Sequence, residues 1–156
     1  MRSISYCLLS GLLFVSAGAL ADAGHAGHGH GIGEPGNPAK VSRTLRIEAT
    51  DDMRFRPASV SVRLNETVKF VIVNKGALRH EFMLGTTKDL KDHAAEMLKN
   101  PEMEHDDDNA VSVEPKQTRE LVWRFTRSGR VDFGCLIPGH YEGGMHGRVA
   151  VRTRHD

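Results

Sequence analysis

Residues 130–151 read RVDFGCLIPGHYEGGMHGRVAV, two alternating runs separated by a glycine-rich loop. Successive side chains of a strand point to opposite sides, so Val131, Phe133 and Cys135 fall on one apolar face. In the second run Val149 and Val151 share a face, and Met145 leads into it with matching parity. The loop between them carries a thiol, an imidazole and a thioether at even intervals, Cys135, His140 and Met145. Two strands joined by this loop are expected, with Cys135 pointing inward at a strand end.

The same period of two recurs upstream. Leu45, Ile47 and Ala49 oppose Thr44, Arg46 and Glu48; Val60, Val62 and Leu64 repeat the pattern before a turn at Asn65-Glu66. Val68, Phe70 and Ile72 follow, and Val71 and Val73 make that run apolar on both faces, which predicts a central strand. In HEFML, residues 80–84, the count puts His80, Phe82 and Leu84 on the apolar side. Further strands are expected at 110–113, 119–125, 130–135 and 147–152, punctuated by Pro115 and Gly129. One segment differs: residues 87–99 place Leu90, Ala94 and Met97 at helical spacing and stop at Asn100-Pro101. The expected fold is all-β, a Greek-key sandwich or barrel with one short inserted helix.

The first residues have the pattern of an export signal, since Arg2 precedes an apolar run from Ile4 to Leu20 that ends in Ala19-Leu20-Ala21. That run is short for a membrane span. Residues 1–21 are therefore expected to be cleaved, leaving no membrane attachment and placing the mature chain in the periplasm. Cleavage removes Cys7 and leaves Cys135 as a single thiol in an oxidising compartment. Such a thiol is a buried hydrophobe, an intermolecular partner, a metal ligand or a nucleophile. Loss of Arg2 leaves 20 basic against 20 acidic residues, a balance that recommends no nucleic acid partner. Residues 22–40, DAGHAGHGHGIGEPGNPAK, show no apolar periodicity and read as a flexible, disordered tail before one domain, 41–156.

Four soft or borderline donors, His80, Cys135, His140 and Met145, converge on one end of such a sandwich. Two imidazoles and a thiolate in a trigonal plane with a weak axial thioether form a copper electron-transfer site, where both Cu(I) and Cu(II) are accessible. Zinc more often recruits further cysteine or carboxylate and has little use for methionine. A lone inward histidine is ordinarily a satisfied core residue and a lone methionine ordinarily packing; the combination with a single exported cysteine favours copper. An enzyme is not expected, because no His-x-His pair occurs in the folded domain to build further metal centres. Cysteine hydrolase chemistry is disfavoured too, since Cys135 ends a strand without an evident orienting partner.

His25, His28 and His30 alternate with glycine and alanine, a composition that suits secondary metal capture on the tail; the alternative is a soluble linker. Met97, Met103 and His105 could form an auxiliary copper site, but packing of Met97 with the other two in solvent is preferred. His146 faces outward by parity. His93 and His155 read as surface residues.

On these residues the chain resembles the cupredoxins, the plastocyanin and azurin group, over roughly residues 41–152. The resemblance rests on FRPASVSVRLNETVKF and VNKGALRHEF, then on VEPKQTRELVWRFTRSGRVDFGCLIPGHYEGGMHGRVAV with its Cys-x4-His-x4-Met spacing. It implies His80, Cys135 and His140 as equatorial ligands, Met145 as the axial one, and one copper per domain. Small electron-carrying members usually have asparagine after the first histidine, where this chain has Glu81. On alternation Glu81 points away from the face of His80, so a structural or hydrogen-bonding role is expected of it. Asn65 and Lys116-Gln117 stand at turns where relatives often carry glycine. Taken with the tail histidines, the likeness is greatest to periplasmic copper-tolerance cupredoxins and implies copper handling. The alternative it leaves is a diffusible carrier passing single electrons between periplasmic redox partners.

Overall fold

The computed structural model describes residues 31–100 and 107–153. In chain order the described elements are β1 (Glu34–Pro35), β2 (Arg43–Thr50), β3 (Arg54–Arg56), β4 (Ser59–Arg63), β5 (Thr67–Asn74), β6 (His80–Gly85), α1 (Thr87–Met97), β7 (Ala110–Val113), β8 (Thr118–Arg124), β9 (Gly129–Gly134) and β10 (His146–Arg152). They build two five-stranded sheets, ordered β1-β8-β5-β2-β3 and β4-β10-β9-β6-β7. Within them β2 with β5 and β4 with β10 run parallel, and the other pairs are antiparallel. This is the expected sandwich with its single inserted helix.

Strand β5 is central in its sheet, as its two-faced apolar run predicts: Val68, Phe70 and Ile72 are sealed from solvent and Val73 is nearly so. Between the sheets Phe55 meets Phe82 edge-on at 5.6 Å and Phe133 at 5.5 Å, while Phe82 and Phe133 lie 5.1 Å apart. Each such ring contributes roughly 2–3 kcal/mol by leaving water. The cluster forms the floor on which Cys135 and Met145 sit, both fully buried in the same core. Asn65 and Lys116 both take φ 64°, the left-handed turn conformation that favours glycine.

Helix α1 starts with a capping box, in which the Thr86 hydroxyl accepts from the Asp89 amide and the Asp89 carboxylate accepts from the Thr86 amide. Its buried face is Leu90, His93 and Met97, laid against Met83, Ala110 and Leu136. Met97 therefore packs, as its spacing predicts. His93 does not lie on the surface: it is 1% exposed, because it falls three residues after Leu90 and four before Met97 on the same stripe.

The docked chain also begins earlier than composition indicates. Residues 31–40 rest on the first sheet: β1 pairs with β8, Ile32 is 3% exposed, and a 3₁₀ turn at Pro38–Lys40 is capped by Asn37. Glycine and proline mark this stretch as irregular, but one buried isoleucine and a two-residue ladder suffice to hold it. No helix among the described residues is long and apolar enough to cross a membrane.

Candidate metal centre

The centre lies where β6 begins and β9 ends, beside the loop that joins β9 to β10. His80 opens β6, and Cys135 follows β9 by one residue. The loop is closed by the β9–β10 ladder, where His146 is registered with Gly134. Its ends are tied by the Cys135 amide donating to the Met145 carbonyl at 3.0 Å and the Met145 amide donating to the His140 carbonyl at 3.0 Å. Inside it, the His140 amide donates to Ile137, Gly143 to Gly139 and Gly144 to Tyr141. The loop is thus a run of turns and not an open strap. From β3 the Arg54 guanidinium reaches across to donate to the Gly143 carbonyl at 2.6 Å, fixing the loop to the opposite sheet.

His80, Cys135 and His140 come together as one cluster, each offering a ligand atom, with all three atoms within 4.8 Å of one another. Cys135 Sγ lies 3.3 Å from His140 Nδ1, and the two imidazole rings are 5.2 Å apart. His80 is fully buried and His140 half-buried. Met145 is fully buried, and its backbone is bonded to that of Cys135 and of His140.

His80 shows which of its nitrogens is free for a ligand. Nε2 lies 3.1 Å from Asp51 Oδ1, whereas Nδ1 is buried and has no hydrogen-bond partner among the described residues. A buried imidazole nitrogen without a partner is costly. A metal relieves that cost, and a carboxylate on the other nitrogen is the usual way of fixing the ring of a ligating histidine. Asp51 is itself held by amides from Ala77 at 2.6 Å and Leu78 at 3.3 Å. Those bonds, with the charge of His80, keep its carboxyl below its ordinary range. The 75–79 turn can close on Asp51 because residue 76 is glycine: a Cβ there would sit 1.7 Å from Asp51 Oδ1. Asp51 carries no mark in the sequence. Nothing local announces it, since its partner is 29 residues away and the contact depends on how the turn folds back.

The acid–base character of the cluster suits a soft metal. Burial pushes the Cys135 thiol up to about 12, against the lowering effect of backbone N–H groups near the sulfur. Without metal the thiol is protonated, so binding must displace that proton. One of those N–H groups is the Glu81 amide, which donates to Sγ at 3.3 Å. Burial, and after it the charge of His80, lowers His140 below its ordinary value, leaving a neutral imidazole at pH 7 with a lone pair to give. A thiol, two imidazoles and a nearby thioether, with one orphaned nitrogen, fit copper.

Glu81 is 2% exposed and faces α1, on the opposite side of β6 from the core, as alternation predicts. Its carboxylate bonds His93 Nε2 at 3.0 Å and accepts from the Leu136 amide at 3.4 Å. A hydrogen-bonding role therefore holds for Glu81. The expected outward placement of His146 also holds. His25, His28, His30, Met103, His105 and His155 lie outside the described residues.

A family profile described as "Copper binding proteins, plastocyanin/azurin family" matches residues 41–152. Among curated proteins the chain is 49% identical over 145 residues to a copper-resistant cuproprotein CopI of Rubrivivax gelatinosus, covering 86% of this chain and 88% of the relative. It is 36% identical over 174 residues to the protein of the same name from Pseudomonas aeruginosa, covering 93% of each. Among solved structures, auracyanin B superposes with a TM-score of 0.64 at 21% identity, over 77% of this chain and 96% of the other. At that identity the last likeness speaks for the fold alone.

Proposed function

This chain belongs to the plastocyanin/azurin family of copper-binding proteins, and from that membership we propose that it is an exported type 1 copper protein of periplasmic copper handling and tolerance. His80, Cys135 and His140 are the equatorial ligands in this reading and Met145 the weak axial one. When bound, copper supplies a one-electron Cu(I)/Cu(II) couple. The chain's own part is to exclude water, to hold His80 through Asp51, and to yield the Cys135 proton. The observation that carries the reading is His80, its buried Nδ1 unpartnered, in one cluster with Cys135 and His140. Copper resistance is in the names of two relatives, which supports handling over simple electron carriage. On this reading the protein holds copper at one redox-active site and is not an enzyme. Residues 1–21 are its export signal, and His25, His28 and His30, ahead of the segment docked from residue 31, add copper capacity.

Half-buried His140 is an edge through which an electron could pass, and it keeps the electron carrier as a second reading with the same centre. The two part in cells. A strain lacking the protein should become sensitive to copper; the full chain should restore tolerance and Cys135→Ser should restore little. Normal growth of that strain in high copper with failure in respiration would favour the carrier.

A further inference from the structure

Helix α1 is inserted between β6 and β7 and covers the outer side of the sheet that carries Cys135. Its place is fixed along the second half of β9 and just beyond it. Thr87 Oγ1 donates to Asp132 Oδ2 at 2.7 Å, and Leu136, two residues past the strand, packs in the cluster with Leu90 and Met97. The seam also holds a buried polar pair, Glu81 and His93, with side chains 2% and 1% exposed. A hydrophobic pair of similar volume would cost less to bury there. Burial alone would pull His93 down, yet the hydrogen bond and charge of Glu81, with the charges of Asp107 and Glu96, outweigh it and hold the imidazole above its ordinary value. The contact is thus a charge-assisted one.

Glu81 is bonded to both sides of the Cys135–Leu136 peptide. Its amide donates to Sγ at 3.3 Å, and its carboxylate accepts from the Leu136 amide at 3.4 Å. His93 is the group that aims the carboxylate. We propose that His93 is a positioning residue for the copper ligand Cys135, acting from the inserted helix through Glu81. An N–H aimed at a thiolate draws electron density from the sulfur and weakens its donation to the metal, so a small movement of Glu81 alters the centre while every ligand stays in place. The helix then serves to set the properties of the site and not only to cover a sheet.

This inference rests on the copper reading above, and its test separates the two. The full-length chain would be prepared as wild type, His93→Gln, Glu81→Gln, the double variant, and Ile47→Val, which loosens the opposite sheet and touches neither residue. Copper-loaded samples give metal stoichiometry, the thiolate charge-transfer bands and the reduction potential; metal-free samples give the exchange rate of the Leu136 amide proton. His93→Gln should still bind one copper, with affinity weakened by about tenfold, altered band ratios and a lower potential, and its Leu136 amide should exchange faster. The double variant should shift no further than Glu81→Gln alone, because His93 acts only through Glu81. Ile47→Val should lose stability with its bands unchanged.

Unaltered bands in His93→Gln, an equal shift in Ile47→Val, or additive shifts in the double variant would each overturn the proposal. If His93→Gln fails to fold, the double variant decides, and wild-type bands in it would sink the idea. A wild type that takes no copper defeats the copper reading, while the Leu136 exchange rate still tests the brace.

Discussion

The inner face of β6 carries His80, Phe82 and Leu84, and its outer face carries Glu81 and Met83 beneath α1. Both faces are buried, but for different reasons. The inner face is sealed by the second sheet and would be recognisable in any sandwich of this kind. The outer face is sealed only because an eleven-residue helix follows two residues later in the chain. One strand thus brings a candidate ligand, His80, to the core and a carboxylate, Glu81, to the seam beneath α1.

The largest effects should come from breaking either face. Phe82→Ala removes a ring that packs on Phe55, Phe70 and Phe133 and should cost about 3–5 kcal/mol in urea unfolding. Met83→Ala on the outer side should cost about 2–4 kcal/mol. A solvated outer face would instead give a change within about 0.5 kcal/mol, so this pair of measurements compares the two faces directly.

Next in size is the leading segment. Removing residues 22–30 should leave stability and colour as they are, while extending the cut to residue 40 strips Ile32 and β1 and should cost about 2 kcal/mol. Thermal or urea melts of the two truncations check this. Equal stability would mean that the docked segment contributes nothing. The longer cut cannot isolate the tail histidines, since it also removes a strand.

What could be read from the sequence follows the same division. Alternation located the sheets, the central β5 and the inward set His80, Cys135 and Met145, because period two is imposed locally by the strand itself. The helix too was legible from Leu90, Ala94 and Met97. Reading His93 as a surface residue overlooks its position on that stripe, which is the available signal: a polar residue at an apolar helical position implies a buried partner. That the partner was Glu81, twelve residues back, required knowing which face of β6 the helix covers. Asp51 gave no signal at all, and neither did the docking of Ile32, where glycine and proline outweighed a single apolar residue.

A further effect concerns pH. Burial holds Cys135 protonated, from an ordinary 9.0 to about 12, so the unfolded chain loses this proton first. The metal-free protein keeps the whole of this contribution below pH 9 and should lose stability from pH 9 towards 12, by up to about 1.4 kcal/mol per pH unit. Cys135→Ser should flatten that slope, which urea unfolding at a series of pH values would show. Smallest of all for stability is Met145→Leu, a swap of similar volume costing less than about 1.5 kcal/mol. It should leave copper bound and raise the potential, because a weak axial ligand tunes the centre without holding it. Loss of copper equal to that in His140→Ala would show that Met145 holds the site together.

The most direct test of the central claim is the visible and paramagnetic resonance spectrum of the mature protein titrated with Cu(II), with Cys135→Ser alongside. A centre built from His80, Cys135, His140 and Met145 should take one copper in the folded domain and give an intense thiolate-to-Cu(II) band that the serine variant lacks. A band that survives in Cys135→Ser, or a wild-type domain that binds only zinc, would contradict it.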